Sequence, residues 1–174
     1  MKTHTSRMTC ISLLAAIGLS LGGCADTKPA PQASAQPSFY RSLATSDASV
    51  DPAAARDMIS IYRTNNHLPV LSIDPALQRA AKARAEEMVR AGSAQPDSAA
   101  KLKARLAGEG VVSGVAVENV SAGYHTLAEA FSGWRQSAPH NANMLNKSAR
   151  RMGIATAYAP GSKYKVYWAL VLAE

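Results

Sequence analysis

A carboxylate, an imidazole and two amides stand close together in the second half of this sequence. Glu118 and Asn119 are adjacent, and His140 and Asn143 follow beyond a segment of helical periodicity. A carboxylate and an imidazole can bind a divalent cation, transfer a proton or form a hydrogen-bonded pair that holds a loop. We therefore take Glu118, Asn119, His140 and Asn143 as the candidate cleft and ligand-binding residues.

These three chemistries make different demands on the neighbouring residues. Zinc sites use three or four protein ligands, whereas Glu118 and His140 supply two, and a third candidate, His125, precedes a helix cap. A hydrolase triad could combine Glu118 and His140 with Ser121 or Ser137, although neither serine stands in a Gly-x-Ser-x-Gly elbow. The remaining alternative is a purely structural pair. We expect no cofactor, and we keep His140 and Glu118 as the candidates for any catalytic or metal-binding role.

Helix-start signals occur at two Asp-Pro pairs and at one capping box. In Asp51-Pro52 and Asp74-Pro75 the carboxylate can cap the first turn, whose first position suits proline. Thr126 and Glu129 match a capping box, so we assign Glu129 to helix capping and not to catalysis. Apolar spacing then predicts helices over 52–66, 75–92, 97–108 and 126–137, with Pro139 ending the last. The first helix is expected to carry its apolar side at Ala54, Met58, Ile61 and Tyr62.

Three β-rich segments accompany these helices. Residues 111–117 are short and β-branched, which predicts a strand or an extended lead into Glu118. Residues 152–159 and 164–173 flank the turn signal Pro160-Gly161-Ser162. Their centres carry no charge and are rich in Val, Ile, Tyr and Trp, as is typical of central strands.

The N-terminal segment has the pattern of a lipoprotein signal. Met1–Arg7 is basic and Met8–Leu21 is apolar, but this run is too short for a comfortable membrane span. It ends in Leu21-Gly22-Gly23-Cys24, which resembles the bacterial lipobox, where the cysteine thiol is linked to diacylglycerol. We predict a signal peptide over 1–23 and lipidation at Cys24, which would anchor the chain in the membrane.

The residues after the lipobox predict a tether. Residues 24–50 comprise the acylated cysteine and a stretch rich in Ala, Pro, Ser and Gln, which we expect to be disordered. Phe39 and Tyr40 are its exceptions: they either dock on the domain or form a sticky spot in a loose tail, and we favour the second. By resemblance to Gram-negative lipoproteins, Ala25 in place of Asp favours the outer membrane, facing the periplasm.

Composition excludes some classes of protein. A hydrophobic content of 47% and a charged content of 18% are typical of a globular protein. The net charge of +7 comes from scattered basic residues without interleaved aromatic residues, which argues against nucleic-acid binding. Cys10 would leave with the signal and Cys24 would be acylated, so the mature domain is expected to contain no disulfide bond.

A set of short motifs, each weak alone, together resembles bacterial members of the CAP superfamily, which includes cysteine-rich secretory proteins, antigen 5 and pathogenesis-related proteins. The resemblance covers about residues 52–174. The motifs are Ile61-Tyr62-Arg63, Leu71 to Leu77, Glu118-Asn119-Val120, Gly133-Trp134, Ser137 to Leu145, Met152-Gly153-Ile154 and Tyr167-Trp168. It implies an α+β fold for a domain over 51–174: a three-layer α-β-α sandwich with a small central, mostly antiparallel sheet.

The family often places two histidines and two acids around a cleft that in some members binds a divalent metal. Glu118 matches one acid and His140 matches one histidine. The other histidine would lie near 92–96, where this chain has none, and Ser137 stands where the second acid is common. The ligand set that the family implies for zinc is therefore incomplete.

The expected function is that of a membrane-tethered CAP-domain lipoprotein of the bacterial envelope. We expect a non-catalytic binding module for a lipid, glycan or protein ligand, with sterol and fatty-acid binding in other family members as the analogy for a lipid. One alternative is an envelope hydrolase that uses His140 and Glu118. Another is a structural protein whose role is interaction with envelope partners.

Overall fold

The computed structural model describes residues 36–174. The signal predicted over 1–23 and the lipidated Cys24 lie outside these residues. Within them, a short 3-10 helix (Ser38–Tyr40) precedes five α-helices and four strands. They are α1 (Pro52–Thr64), β1 (Ser72–Ile73), α2 (Pro75–Ala91), α3 (Ala99–Gly108), β2 (Ala116–Ala122), α4 (Leu127–Gln136), α5 (Ala138–Met144), β3 (Arg151–Ala159) and β4 (Lys165–Ala173).

The four strands form one sheet in the order β1-β3-β4-β2. The two longest strands pair as an antiparallel hairpin around the turn at 160–164, and β2 pairs antiparallel with the other side of β4. The short β1 is parallel to β3. The predicted mostly antiparallel sheet is thus confirmed, with β4 at its centre and β2 at one edge.

Strand β4 is buried on both faces from Val166 to Ala173. Successive side chains of a strand point to opposite faces, so its residues divide between two hydrophobic cores. The even-numbered residues Val166, Trp168, Leu170 and Leu172 lie in one core, and the odd-numbered residues Tyr167, Ala169, Val171 and Ala173 lie in the other.

Helices cover both faces of the sheet. The buried residues of α1, α4 and α5 share the core of Trp168, and Trp134 of α4 meets that ring edge to face at 6.1 Å between centroids. The buried residues of α2 and α3 share the core of Tyr167. This is the three-layer α-β-α sandwich that the sequence predicted.

Helix α2 approaches the sheet closely at Gly153 of β3. Three of its six buried residues are alanines, and they share a core with the small side chains of Ala155 and Ala169. A Cβ atom added at Gly153 would stand 2.1 Å from the carbonyl carbon of Leu77. The glycine of the Met152-Gly153-Ile154 motif therefore allows α2 and β3 to approach each other.

The predicted helix caps are present. The Asp51 side chain accepts hydrogen bonds from the backbone N–H groups of Ala53 and Ala54, and Asp74 caps α2 in the same way. Gly92 ends α2 in the left-handed conformation that glycine adopts most readily. The capping box of Thr126 and Glu129 begins α4 as expected.

Three predictions of local structure are wrong. The buried side of α1 is formed by Ala55, Ile59 and its neighbours, whereas Ile61 is 63% exposed. The strand predicted over 111–117 begins only at Ala116 and continues to Ala122, because its length is set by pairing with β4. Pro139 does not simply end a helix: it occupies the first turn of α5, where proline needs no N–H partner.

The predicted disordered tether over 24–50 is also wrong for its second half, which packs on the domain. Leu43 and Val50 are buried in the core of Trp168, and Phe39 packs against that core. The backbone N–H of Leu43 donates to the carbonyl of His125 at 2.7 Å. These few apolar residues bury enough surface to order the segment, although its composition is that of a linker.

A fully buried arginine ties α1 to the loops that follow α1 and α5. The guanidinium of Arg63 donates to four backbone carbonyls, at distances of 2.8–3.0 Å. Burial, and the nearby charge of Arg150, lower the pKa of Arg63. The acceptors are the carbonyls of Pro69, Met144, Asn146 and Ala149.

Replacing Arg63 by Met should lower the free energy of unfolding by about 3 kcal/mol, because buried carbonyls lose their donor. Arg56→Met on the same helix is the matched control. Within residues 36–174, Arg56 is paired only with its neighbour Asp57 at the surface, so this change should cost less than about 0.5 kcal/mol. Denaturant unfolding of the two variants measures both values. Equal effects would contradict the role assigned to Arg63.

Candidate functional site

The candidate residues lie on β2 and on α5, beside the free edge of the sheet. Val120 of β2 contributes to the core under α2, whereas Val117 packs against the core under α4. Since side chains alternate along a strand, Glu118 points to the α2 side and Asn119 to the α4 and α5 side. These neighbours in sequence therefore belong to two different polar networks.

The first network is a knot of amides that joins β2 to α5. The Asn119 side chain, 1% exposed, donates from Nδ2 to the backbone carbonyl of His140 at 2.9 Å. Asn143 donates from Nδ2 to Asn119 Oδ1 at 3.0 Å and to the Glu118 carbonyl at 2.8 Å. The knot thus gives partners to buried backbone groups at a sheet edge, which are costly to leave unpaired.

The second network surrounds the Glu118 carboxylate with charge. Glu118 is 8% exposed, and its Oε1 accepts a hydrogen bond from the Asp97 backbone N–H at 2.6 Å. Its Oε2 lies 3.7 Å from Nε of Arg84. Arg84 also approaches the Asp97 carboxylate at 3.4 Å. Both partners come from the α2–α3 region, so Glu118 links β2 to these helices.

Further ion pairs extend this network towards the surface. Arg105 pairs with Asp97 at 2.8 Å and contacts Glu87, and Lys101 lies 2.7 Å from Glu87 and 3.0 Å from Asp97. Three cations and three carboxylates balance one another. Several of these side chains can be buried in their charged form, because each has a partner of opposite charge. The members are Arg84, Lys101, Arg105, Glu87, Asp97 and Glu118.

The pKa values follow these contacts. Burial raises the pKa of Glu118, against the opposing effects of the Asp97 N–H and the Arg84 charge. Burial alone would also raise the pKa of Asp97, but hydrogen bonds from Arg105 and Lys101 leave it lowered. Hydrogen bonds from Lys101 and then Arg105 lower the pKa of Glu87 to about 2.

The structure does not form the Glu118–His140 pair that the sequence suggested. The Glu118 carboxylate binds the Asp97 N–H and faces Arg84, and His140 contributes its backbone carbonyl to the amide knot. The imidazole of His140 is half-buried, and this burial lowers its pKa. Within residues 36–174 these two side chains share no hydrogen bond or ion pair, since alternation along β2 directs Glu118 towards α2.

The donor set does not fit the divalent metal that some members of the resembling family bind. A guanidinium already faces the carboxylate of Glu118, so a second cation there would be repelled. Among residues 36–174, no three His, Cys, Asp or Glu side chains converge as a metal site requires. His125, the third candidate ligand, is exposed. Its backbone N–H donates to the Glu129 side chain at the start of α4.

The serines of the possible hydrolase triad are also placed apart from Glu118. Ser121 lies on the opposite face of β2 from Glu118, and its Oγ accepts a hydrogen bond from Trp134 Nε1 at 3.1 Å. Ser137 stands at the junction of α4 and α5. A triad needs a continuous chain of hydrogen bonds from nucleophile to base to acid, and these residues form none within the described chain.

An open cleft does exist near the position of the family's missing histidine. It has a volume of about 270 Å³ and lies between the end of α2, the end of β2 and the turn before β4. Its lining is mainly polar and consists of Gly92, Ser93, Ala94, Gln95, Ser121, Ala122 and Tyr164. The cleft offers hydroxyl and amide groups for hydrogen bonding but lacks the charged residues expected of an acid–base catalyst.

Sequence reasoning missed the cations that occupy the environment of Glu118. In sequence, Arg84 and Arg105 are two of the scattered basic residues, and no partner was predicted for either. One signal was available: Arg84 follows Ala80 and Ala81 at helical spacing on the buried side of α2. An arginine on that side needs acceptors for its donors, and the Glu118 carboxylate is one such acceptor in the sequence.

The fold and this site define an α-β-α domain of one family. The family model described as the cysteine-rich secretory protein family, CAP, matches residues 56–172. The chain therefore belongs to the CAP family, as its motifs suggested. No curated protein matches this chain.

Solved structures support the fold. An extracellular SCP-domain protein from Bacillus anthracis has 23% sequence identity and a TM-score of 0.61, over 71% of this chain and 40% of that one. An outer surface protein from Borrelia burgdorferi has 15% identity and a TM-score of 0.62, over 70% and 90%. A cysteine-rich secretory protein from Staphylococcus aureus has 18% identity and a TM-score of 0.59, over 70% and 37%. The chain thus spans about two fifths of the Bacillus and Staphylococcus proteins.

The amide knot predicts energetic coupling between Asn119 and Asn143. Each single change to Ala should lower the free energy of unfolding by about 1–3 kcal/mol, because buried polar groups lose their partners. The double variant should cost less than the sum, with a coupling of at least about 0.5 kcal/mol. Asn119→Ala combined with Asn66→Ala is the control, since exposed Asn66 shares no hydrogen-bond partner with Asn119 and the effects should add. Additive effects for Asn119 and Asn143 would contradict the knot.

The ion-pair network predicts that the free energy of unfolding depends on pH. The pKa of Glu87 is lowered from 4.5 to about 2, so ionised Glu87 stabilises the fold above pH 4.5, and this contribution is lost as the pH falls towards 2. Between pH 4.5 and pH 2, the Glu87→Gln variant should lose less free energy of unfolding than the unmodified protein does. Unfolding of both proteins at several pH values measures this difference. Glu86→Gln, an exposed neighbour without an ion pair in the described chain, should keep the original slope. Identical slopes for all three proteins would contradict the prediction.

Proposed function

We propose that this protein is a non-catalytic binding module that a lipidated Cys24 holds at the bacterial envelope, at the outer membrane and facing the periplasm. Its ligand would be a polar fragment of the cell wall, such as a glycan or a glycan-linked peptide. The observation that carries the proposal is the engagement of Glu118: its carboxylate is buried, bound by the Asp97 N–H and faced by Arg84.

An engaged carboxylate is a poor acid–base catalyst. A general base must reach the proton that it removes, and Glu118 presents its oxygens to the interior of the network. The amides of Asn119 and Asn143 are likewise used to pair backbone groups. These contacts favour a scaffold around the cleft over a reaction centre.

The cleft beside Ser93 and Gln95 is the best-supported place for a ligand. Its hydroxyl and amide groups suit the hydroxyls of a sugar, and Tyr164 adds an aromatic surface with a polar end. Binding sites commonly combine such a surface with a few polar groups that fix orientation. A wholly apolar lipid chain would leave these polar groups without partners, so we favour a glycan.

Localisation at the envelope rests on the lipobox and agrees with the proteins of similar fold. One of these is described as extracellular and another as an outer surface protein. No helix within residues 36–174 is long and apolar enough to cross a membrane. In our proposal the lipid on Cys24 supplies the membrane attachment, and the absence of Asp at position 25 favours the outer membrane.

Soluble peptidoglycan fragments should bind saturably, and Gln95→Ala should weaken this binding by about 3–10-fold through the loss of one hydrogen bond. Gln136→Ala, which changes an exposed glutamine outside the cleft, should bind as the unmodified protein does. Calorimetric titration measures all three affinities. Binding only to envelope lipids or to a protein, or fragment hydrolysis that is lost in His140→Ala, would overturn the proposal.

Mass spectrometry of the mature protein from a Gram-negative host should find an N-terminal Cys24 that carries acyl chains. Cys24→Ser should abolish this modification and release the protein from the membrane fraction, because its thiol is the atom that receives the lipid. Ser42→Ala, a change at an exposed position, is the control and should remain membrane-bound. An unmodified N-terminus at another residue would disprove the lipid anchor.

A further inference from the structure

We infer that an apolar surface on α1 and the segment before it docks on the bilayer to which the chain is tethered. This surface, the α1 face, consists of Phe39, Tyr40, Met58 and Ile61. The inference rests on the proposed lipidation of Cys24, and it concerns a different part of the molecule from the cleft. It gives the anchored domain a defined orientation on the membrane.

The α1 face is continuous and mainly apolar. Phe39, Met58 and Ile61 line one open groove of about 410 Å³, together with Pro37, Ser38, Ala54 and Asp57. Tyr40 extends this groove, because its ring lies against that of Phe39 with 4.6 Å between centroids. Ile61 is 63% exposed and Tyr40 is 54% exposed. Large apolar side chains that adjoin one another at the surface mark interaction sites more often than isolated ones do.

The position of the tether argues for the bilayer as the occupant. The chain enters the described domain at Gln36, and the next residue, Pro37, already lines the groove. Residues 25–35 separate this point from Cys24 and span at most about 40 Å when fully extended. A domain of this size is itself roughly 40 Å across. Only a fully extended tether would therefore allow the opposite side of the domain to reach the bilayer.

The chemistry of the α1 face also suits a membrane interface. Tyrosine is enriched at the level of lipid headgroups, where its ring is covered and its hydroxyl remains hydrated. Arg41 follows Tyr40 and is exposed, so it can approach anionic headgroups. The one acid that lines the groove, Asp57, is paired with Arg56 at 2.6 Å, which reduces its repulsion from the membrane.

A stable protein partner would need a larger surface. Interfaces of this kind bury about 800 Å² on each partner. Only two of the four side chains of the α1 face are more than half exposed, so the area available is much smaller. Shallow contact with a bilayer has no such requirement, because the covalent lipid already keeps the domain at the membrane.

A tryptophan reporter in the processed, full-length protein tests this orientation. Ile61→Trp places the reporter on the α1 face, and Val112→Trp is the matched control at an exposed β-branched residue that lines a separate groove. The native Trp134 and Trp168 are buried and contribute the same background to both variants. Each protein is reconstituted in phosphatidylethanolamine–phosphatidylglycerol vesicles with or without brominated acyl chains, which quench tryptophan on contact.

Brominated lipid should quench the added emission of Ile61→Trp at least twofold and leave that of Val112→Trp nearly unchanged. Equal quenching at both positions, or none at 61, would overturn the docking surface. A blue shift at 61 without quenching would mean that protein covers the face, which also overturns it. Mass spectrometry of the same samples tests the lipid anchor separately from the docking surface. Quenching at residue 61 with an unmodified Cys24 would disprove only the anchor. Acylation of Cys24 without quenching at residue 61 would disprove only the docking surface.

Discussion

The central strand β4 imposes the constraint on which the rest of the domain depends. It is buried on both faces from Val166 to Ala173, so every one of these residues packs against a hydrophobic core. Helices must then cover both sides of the sheet, and polar side chains are displaced to its margins. Strand β2, at the edge, is where a carboxylate and an amide can be buried next to partners from the helices.

This placement explains the character of the site. Alternation along β2 sends Glu118 to the helices α2 and α3 and Asn119 to α5, so one short motif connects the sheet to both outer layers. On one side an ion-pair network neutralises the carboxylate, and on the other an amide knot pairs the backbone. The residues that resemble a reaction centre in sequence are occupied in holding the layers together. Hydroxyl and amide groups open to solvent lie beside them, in the polar cleft around Ser93 and Gln95.

Buried arginines are the second recurring device. Arg63 satisfies four carbonyls of irregular backbone, and Arg84 faces the carboxylate of Glu118. Both lie on the inner sides of helices, where long flexible stems can reach over hydrophobic neighbours to polar partners. A guanidinium suits both tasks because it remains charged and offers several donors in a fixed plane. The charge of Arg84 beside Glu118 also disfavours a second cation at that carboxylate.

The sequence by itself determined the features that depend on near neighbours along the chain. The Asp-Pro helix starts, the capping box at Thr126 and the final hairpin involve contacts across a few residues, and each was predicted. The CAP motifs identified the family and its layers. Only the tertiary structure decided the partners of Arg63 and Glu118, the start of β2 and the packing of residues 36–50. These features depend on contacts between residues distant in sequence, such as Arg63 with Met144, which a local pattern does not encode.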